Sequence, residues 1–285
     1  MRYYDPEVGR FVSRDPVGLW GDAGNRGNAQ NYCGNNPVSR TDPMGDKLVI
    51  THPRTTGPST NADHSKRKAE VNYTKAALGK LLKTKKVDIG FNYVAEPYKD
   101  GNGVSKIKHR TEVEIKFKKG FDRSKLSKTD AMVIAALSDD KLTIELSYDH
   151  EAATKDTATT AEDGGGDASN GNVTIAVPDY WKRAAQPLDG QGDTTNRVKD
   201  TFEYTFAHEV FGHALMWHYG FECDYGAVSV ENQFREADGG GLRRGSDHSP
   251  HKTAGPTPPA DFRTAKDKET GKLLLDRAKV PQAVN

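Results

Sequence analysis

Val198-Lys199-Asp200-Thr201-Phe202-Glu203-Tyr204-Thr205-Phe206-Ala207-His208-Glu209-Val210-Phe211-Gly212-His213-Ala214 is the stretch on which the reading of this chain turns. Val198, Phe202, Phe206, Val210 and Ala214 recur every four residues, so the stretch predicts the strongest helix in the chain. His208, Glu209 and His213 lie on it. A helix turns about 100° per residue, so five steps leave the two histidines roughly 140° apart on an ideal helix. A π-type bulge would absorb the extra residue, and Gly212 is a permissive place for such a distortion.

Outward from this helix, Val173 to Val177 reads as a short β-branched strand, and Val228 to Ala237 as a second helix ended by Gly239-Gly240-Gly241. Nearer the N-terminus, His64 to Lys86 fits a basic amphipathic helix, with Ala69, Val71, Ala76, Ala77, Leu81 and Leu82 set among lysines. Val87 to Val94, Thr111 to Phe117 and Leu142 to Leu146 read as strands, and Ser127 to Leu137 as a short helix. Glu151 to Asn172 is acidic and Thr/Gly-rich, a loop. Everything past Pro250 is Pro- and charge-rich, a loosely packed tail over 251–285. Together these elements are read as an α+β domain over 46–250.

The chain has 285 residues, with 41 basic and 40 acidic side chains, so its overall field favours no class of partner. Counting Gly in place of Tyr, about 40% of residues are apolar, below the usual 45–50% but enough for one core. No apolar run approaches 18 residues, and Met1 is followed by Arg2-Tyr3-Tyr4-Asp5; neither a membrane anchor nor a signal peptide is expected. Cys33 and Cys223 belong to no C-x-x-C pair and read as free thiols made in a reducing compartment.

Residues 1–45 differ from the rest, with aromatic pairs alternating with Asp-Pro turns. Tyr3-Tyr4-Asp5-Pro6, Gly9-Arg10-Phe11, Asp15-Pro16-Val17-Gly18-Leu19, Asn35-Asn36-Pro37-Val38 and Asp42-Pro43-Met44-Gly45 resemble the end of the Rhs repeat-associated core of YD-repeat polymorphic toxins. That resemblance implies a β-rich segment closing a hollow cage, followed by a variable toxin domain. It also implies self-cleavage after the second Asp-Pro motif by an aspartyl pair, Asp15 and Asp42. Two carboxylates that share a proton can act as acid and base. The segment between the two motifs is longer than is usual in the family, and Asp46 stands where a Leu commonly follows.

His208-Glu209-Val210-Phe211-Gly212-His213 in turn resembles the H-E-x-x-G-H helix of dipeptidyl peptidase III and of metallopeptidase toxins attached to Rhs cores. The resemblance implies a zincin-like fold, a small mixed sheet plus an active-site helix, with His208 and His213 as Zn2+ ligands and Glu209 as general base. The plainer alternative is a helix with two partly buried, hydrogen-bonded histidines. A catalytic zinc takes three protein ligands and one open position. Glu231 on the next helix is the chosen third ligand, as in gluzincin-type peptidases, and Glu231, Asn232 and Arg235 match a Glu-Asn-x-x-Arg pattern of toxin relatives. Asp224, Glu222 and His218 compete for that place, and Glu231 could instead be an exposed partner of Arg235. His248, Arg243 or Arg244 could supply a donor to the oxyanion, against the reading of His248 as a solvated loop residue. In zincin folds the strand beside the active-site helix is commonly an edge that pairs with substrate; for Val173 to Val177 an internal place is equally open.

These readings lead to a secreted Rhs effector whose C-terminal domain is a zinc metallopeptidase hydrolysing a target-cell protein. The Rhs resemblance implies the rest of the cage, secretion-apparatus proteins of a type VI or related system and a cognate immunity protein as partners. The chain would be made in the bacterial cytoplasm and delivered into a target cell without a signal peptide. One rival is a nucleic-acid-degrading toxin, for which the basic segments His64 to Lys86 and Lys106 to Lys125 speak; the helical H-E placement suits a water-activating metal better, so nucleic acid is not the expected partner. A second rival is a non-enzymatic interaction or encapsulation module.

Overall fold

The computed structural model describes residues 4–5, 10–11, 46–55, 60–139, 141–150, 172–178, 187–188, 198–199, 201–221, 226–243, 257–268 and 270–284. The chain divides into two compact units, Met1–Gly45 and Asp46–Asn285. In the first, β1 (Tyr4–Asp5) pairs antiparallel with β2 (Arg10–Phe11), Tyr4 opposite Phe11. Asp15 and Asp42 lie outside the described residues, as do residues 151–171 of the expected loop.

The second unit is α+β, as the sequence predicts. Its five-stranded mixed sheet has the order β4-β5-β3-β7-β8, formed by β3 (Asp46–Thr55), β4 (Val87–Lys99), β5 (Ser105–Phe117), β7 (Lys141–Asp149) and β8 (Asn172–Ala176). Central β3 runs antiparallel to β5 and parallel to β7, and β7 runs parallel to β8. Leu48 and Ile50 of β3 are fully buried, as expected of a strand with neighbours on both sides. The expected strand Val173 to Val177 is therefore an edge of the described sheet.

Helix α1 (Asn61–Leu81) begins earlier than its apolar pattern suggests because Thr60 and Asp63 form a reciprocal capping box. Its buried stripe is Arg67, Glu70, Thr74, Ala77, Leu78 and Leu81, whereas Ala76, expected inside, is exposed. Helix α2 (Lys128–Ser138) starts where Ser127 accepts a hydrogen bond from the Asp130 amide at 3.0 Å. It packs against β3 and β5.

Helix α3 has three parts: an α-helical start at Phe202–Phe206, a π-helical segment over Ala207–Leu215 and a last turn at Met216–His218. Thr201 is its N-cap, with extended dihedrals of −136° and 158°, so Val198 does not belong to the helix. Val198 instead sits in β10 (Val198–Lys199), paired with β9 (Pro187–Leu188). Phe202, Phe206, Val210 and Ala214 are all buried, as their spacing predicts. Helix α4 (Gly226–Ala237) follows and ends near Gly239, whose φ of 69° suits a residue without a Cβ.

The expectation of a loose tail fails in the described part. Phe262, Leu274 and Ala278 are fully buried, and β11 (Ala283–Val284) pairs with β6 (Phe121–Asp122). Leu274 and Leu275, inside a charged stretch, give the segment an apolar anchor, and Arg123 donates to the carbonyl of Val280 at 3.1 Å.

Candidate metal centre

The π-helical segment decides where the two histidines point. Its hydrogen bonds run from residue i to i+5, so side chains five apart come onto one face. The expected single bulge is in fact nine residues of π-helix, Ala207–Leu215. The Nε2 atoms of His208 and His213 lie 3.2 Å apart, their rings at 74°. Two imidazoles on one tetrahedral zinc, at about 2.0–2.1 Å each, would hold their nitrogens roughly 3.4 Å apart. Glu209 completes the only group of three metal-ligating side chains found among the described residues, with ligand atoms all within 4.8 Å of one another. All three are buried.

Gly212 has a different reason from the one its flexibility suggests. A Cβ there would stand 2.8 Å from the Cα of Ala227 and 2.9 Å from its Cβ, so the glycine lets α3 and α4 touch backbone to backbone. That close approach brings Glu231 of α4 to His208.

Glu231 is neither exposed nor a simple i+4 partner. It is 1% exposed, its Oε2 lies 2.9 Å from Nδ1 of His208 and accepts from Arg243 at 2.9 Å, and its Oε1 accepts from Nε of Arg235 at 2.6 Å. Burial pushes the Glu231 carboxyl up, but the hydrogen bond and charge of His208, then Arg243 and Arg235, outweigh it and hold the group at about 2. An ionised carboxylate accepts only, so Nδ1 of His208 is the donor; in the neutral ring, Nε2 is left with its lone pair toward His213. The structure thus places Glu231 on the Nδ1 side of His208, while His213 faces Nε2.

The Glu-Asn-x-x-Arg pattern has a geometric explanation. Asn232 donates to the carbonyl of Arg243 at 2.8 Å and accepts from its amide at 2.8 Å, pinning the segment after α4. That brings Arg243 to Glu231, while Arg235 supports Glu231 from behind and lies over the Tyr204 ring at 4.3 Å. In sequence Arg243 stands only as a candidate oxyanion donor; its pairing with Glu231 depends on a chain reversal that no local spacing reveals.

Of the other candidates, His218 belongs elsewhere: its Nε2 lies 3.3 Å from Asp139 and 3.0 Å from Arg277. His248, Arg244, Glu222 and Asp224 lie outside the described residues. Strands β7 and β8 both pack against the π-helical segment.

No family model matches the chain, and no solved structure matches it. Over 45 residues the chain is 50% identical to double-stranded DNA deaminase toxin A of Burkholderia cenocepacia, a match that covers 16% of this chain and 3% of that protein. The chain therefore spans only a small fraction of the relative's length.

Proposed function

We propose that this chain is the toxin-bearing end of a polymorphic toxin and that Asp46–Asn285 is a zincin-like zinc peptidase. The observation that carries the reading is the 3.2 Å approach of two buried imidazole nitrogens, brought together by π-helical hydrogen bonding beside Glu209. The similarity to a bacterial toxin supports the toxin part. The Rhs resemblance of residues 1–45 supports delivery into a target cell and, as partners, the remaining cage, a secretion apparatus and an immunity protein.

His208 and His213 would hold the zinc through Nε2. Zinc there would supply Lewis acidity toward a carbonyl and bring the pKa of a water down to about 7. Glu209 takes the proton from the attacking water and returns it to the leaving amine. Glu231 fixes the tautomer and the orientation of His208, as carboxylates behind ligating histidines do. On this reading Glu231 orients a ligand, and its expected place as third ligand would require it to give up contacts to His208 and Arg243. Strand β8, the edge of the sheet among the described residues, is the place where an extended peptide would add as a further strand. Asp15 and Asp42 would release the toxin; mass analysis of the full-length parent carrying Asp42→Asn should find the junction uncut, and normal cutting would remove them from this role.

The test of the peptidase is a comparison of wild type and Glu209→Gln for peptide release and for toxicity in the cytosol of a susceptible cell. Loss of both with zinc retained is expected; full activity of Glu209→Gln would overturn the mechanism.

The similarity to a DNA deaminase toxin favours a second reading, an enzyme acting on nucleic acid. Zinc-dependent nucleobase deaminases draw their ligands from a histidine and paired cysteines. This chain has two cysteines, Cys33 and Cys223, which form no such pair. Deamination or nicking of DNA by the purified protein, with no peptide release, would replace the peptidase by this reading.

A further inference from the structure

Away from the helical histidines, the contact between α1 and the sheet turns polar along its length. Along β5, alternate residues change from Phe117, Ile115 and Val113, opposite Val87, Ile89 and Phe91 of β4, to Thr111 and His109, opposite Ile50 and His52 of β3. The buried stripe of α1 changes in the same direction, from Leu81, Leu78 and Ala77 to Thr74, Glu70 and Arg67. Buried ionisable groups are costly to keep between a helix and a sheet, and their concentration at one end calls for a ligand or a catalytic use.

Glu70 is fully engaged there. One oxygen meets Nδ1 of His52 and the other lies 2.7 Å from Nε2 of His150, while Nε2 of His52 lies 2.8 Å from the Thr111 hydroxyl. Arg67, three residues along the same helix, therefore has no share of Glu70. It is 6% exposed, and among the described residues it pairs with no carboxylate: it donates to Nδ1 of His64 at 2.9 Å and lies over the Tyr93 ring at 5.5 Å. Asp63 feels its charge but spends its carboxylate on capping Thr60. Because an arginine only donates, the Nδ1 of His64 must accept, which leaves its Nε2 to carry hydrogen as a further donor.

Arg67 lines a cavity of about 280 Å³ with His64, Lys68, Val71, Asn72, Phe91, Tyr93 and Thr111. Two cations, Arg67 and Lys68, and the Nε2 donor of a neutral His64 stand at one end, and an apolar and aromatic wall of Val71, Phe91 and Tyr93 completes it. Burial, with the Arg67 charge next in weight, lowers the pKa of His109, which lies 2.6 Å from the Tyr93 hydroxyl.

We propose that the cleft between α1 and β4–β5 is a second ligand site that takes a nucleotide, free or as a unit of a nucleic-acid strand, with its phosphate on Arg67. Lys68 shares the phosphate charge, Nε2 of His64 donates a hydrogen bond to it, and the flat base lies against Phe91 and Val71. A buried guanidinium without a carboxylate is completed by an anion, and a guanidinium fork matches phosphate oxygens. The site is independent of the metal centre and of the peptidase reading.

The test is calorimetric titration of the full chain with adenosine 5′-monophosphate, adenosine, inorganic phosphate and a twelve-residue oligo-dT. The monophosphate should bind, and adenosine should bind roughly tenfold or more weakly. Arg67→Gln should reduce monophosphate binding by a similar factor, Lys68→Gln by less, and His208→Ala should leave it unchanged. If Arg67→Gln does not fold, as circular dichroism would show, exposed Lys68→Gln and competition by inorganic phosphate carry the test. Oligo-dT binding far more tightly than the monophosphate, with steep salt dependence, identifies a strand as the source; equal affinities identify the free nucleotide. Adenosine binding as well as its monophosphate, no binding of either phosphate-bearing probe, or undiminished binding in both variants overturns the proposal.

Discussion

The backbone of Gly212 on α3 rests against Ala227 of α4 so closely that a Cβ on the glycine would stand 2.8 Å from the Ala227 Cα. The helix carrying the paired histidines and the helix carrying Glu231 are therefore positioned by an absent side chain. Gly212→Ala should separate them, destabilise the protein by about 1–3 kcal/mol and weaken zinc binding together with it. Thermal melting with a zinc titration checks this; a variant of unchanged stability and metal affinity would show that the contact does not set the site.

Removing a ligand and removing a base should have different signatures. His208→Ala and His213→Ala should purify without zinc, whereas Glu209→Gln should keep it and lose peptide hydrolysis. Elemental analysis beside a peptide-release assay separates the two; zinc absent from the wild-type protein, even after it is supplied, would leave the site without its metal.

Glu231→Ala should lower zinc affinity by about 10–100-fold, the usual effect of losing a carboxylate behind a ligating histidine. Loss of zinc as complete as in His208→Ala would instead make Glu231 a direct ligand. A competition titration with a chelating dye resolves the two.

Asp267 ties down the segment expected to be a loose tail. It accepts from the amide and hydroxyl of Thr270 and from Arg277, and these contacts, led by the Thr270 amide, lower its carboxyl from 3.8 to about 2. A carboxyl depressed in the folded state adds stability above its unfolded pKa and loses it as pH falls through the folded value. The stability difference between wild type and Asp267→Asn should therefore be full above about pH 4 and shrink toward pH 2. Melting curves across that range check the sign; a gap that widens on acidification would contradict it.

Local pattern alone determined a good part of this protein. The four-residue spacing of Phe202, Phe206, Val210 and Ala214 identified the central helix, and the alternation in Thr111 to Phe117 identified a strand, because both periods are short-range consequences of which side must be buried. The residues 208, 209 and 213 were legible as a chemical group from identity and spacing. Tertiary structure decided the rest. The face to which His213 turns depends on nine residues of π-helix packed between the sheet and α4, and i→i+5 bonding is not encoded in any single residue's preference. Arg67 belongs in sequence to a basic amphipathic run, yet it and Glu70 are buried, because they continue the stripe that Ala77, Leu78 and Leu81 bury further along the helix. The role of Glu231 likewise depends on Asn232 catching Arg243 eleven residues away, a loop closure whose geometry only the folded chain determines.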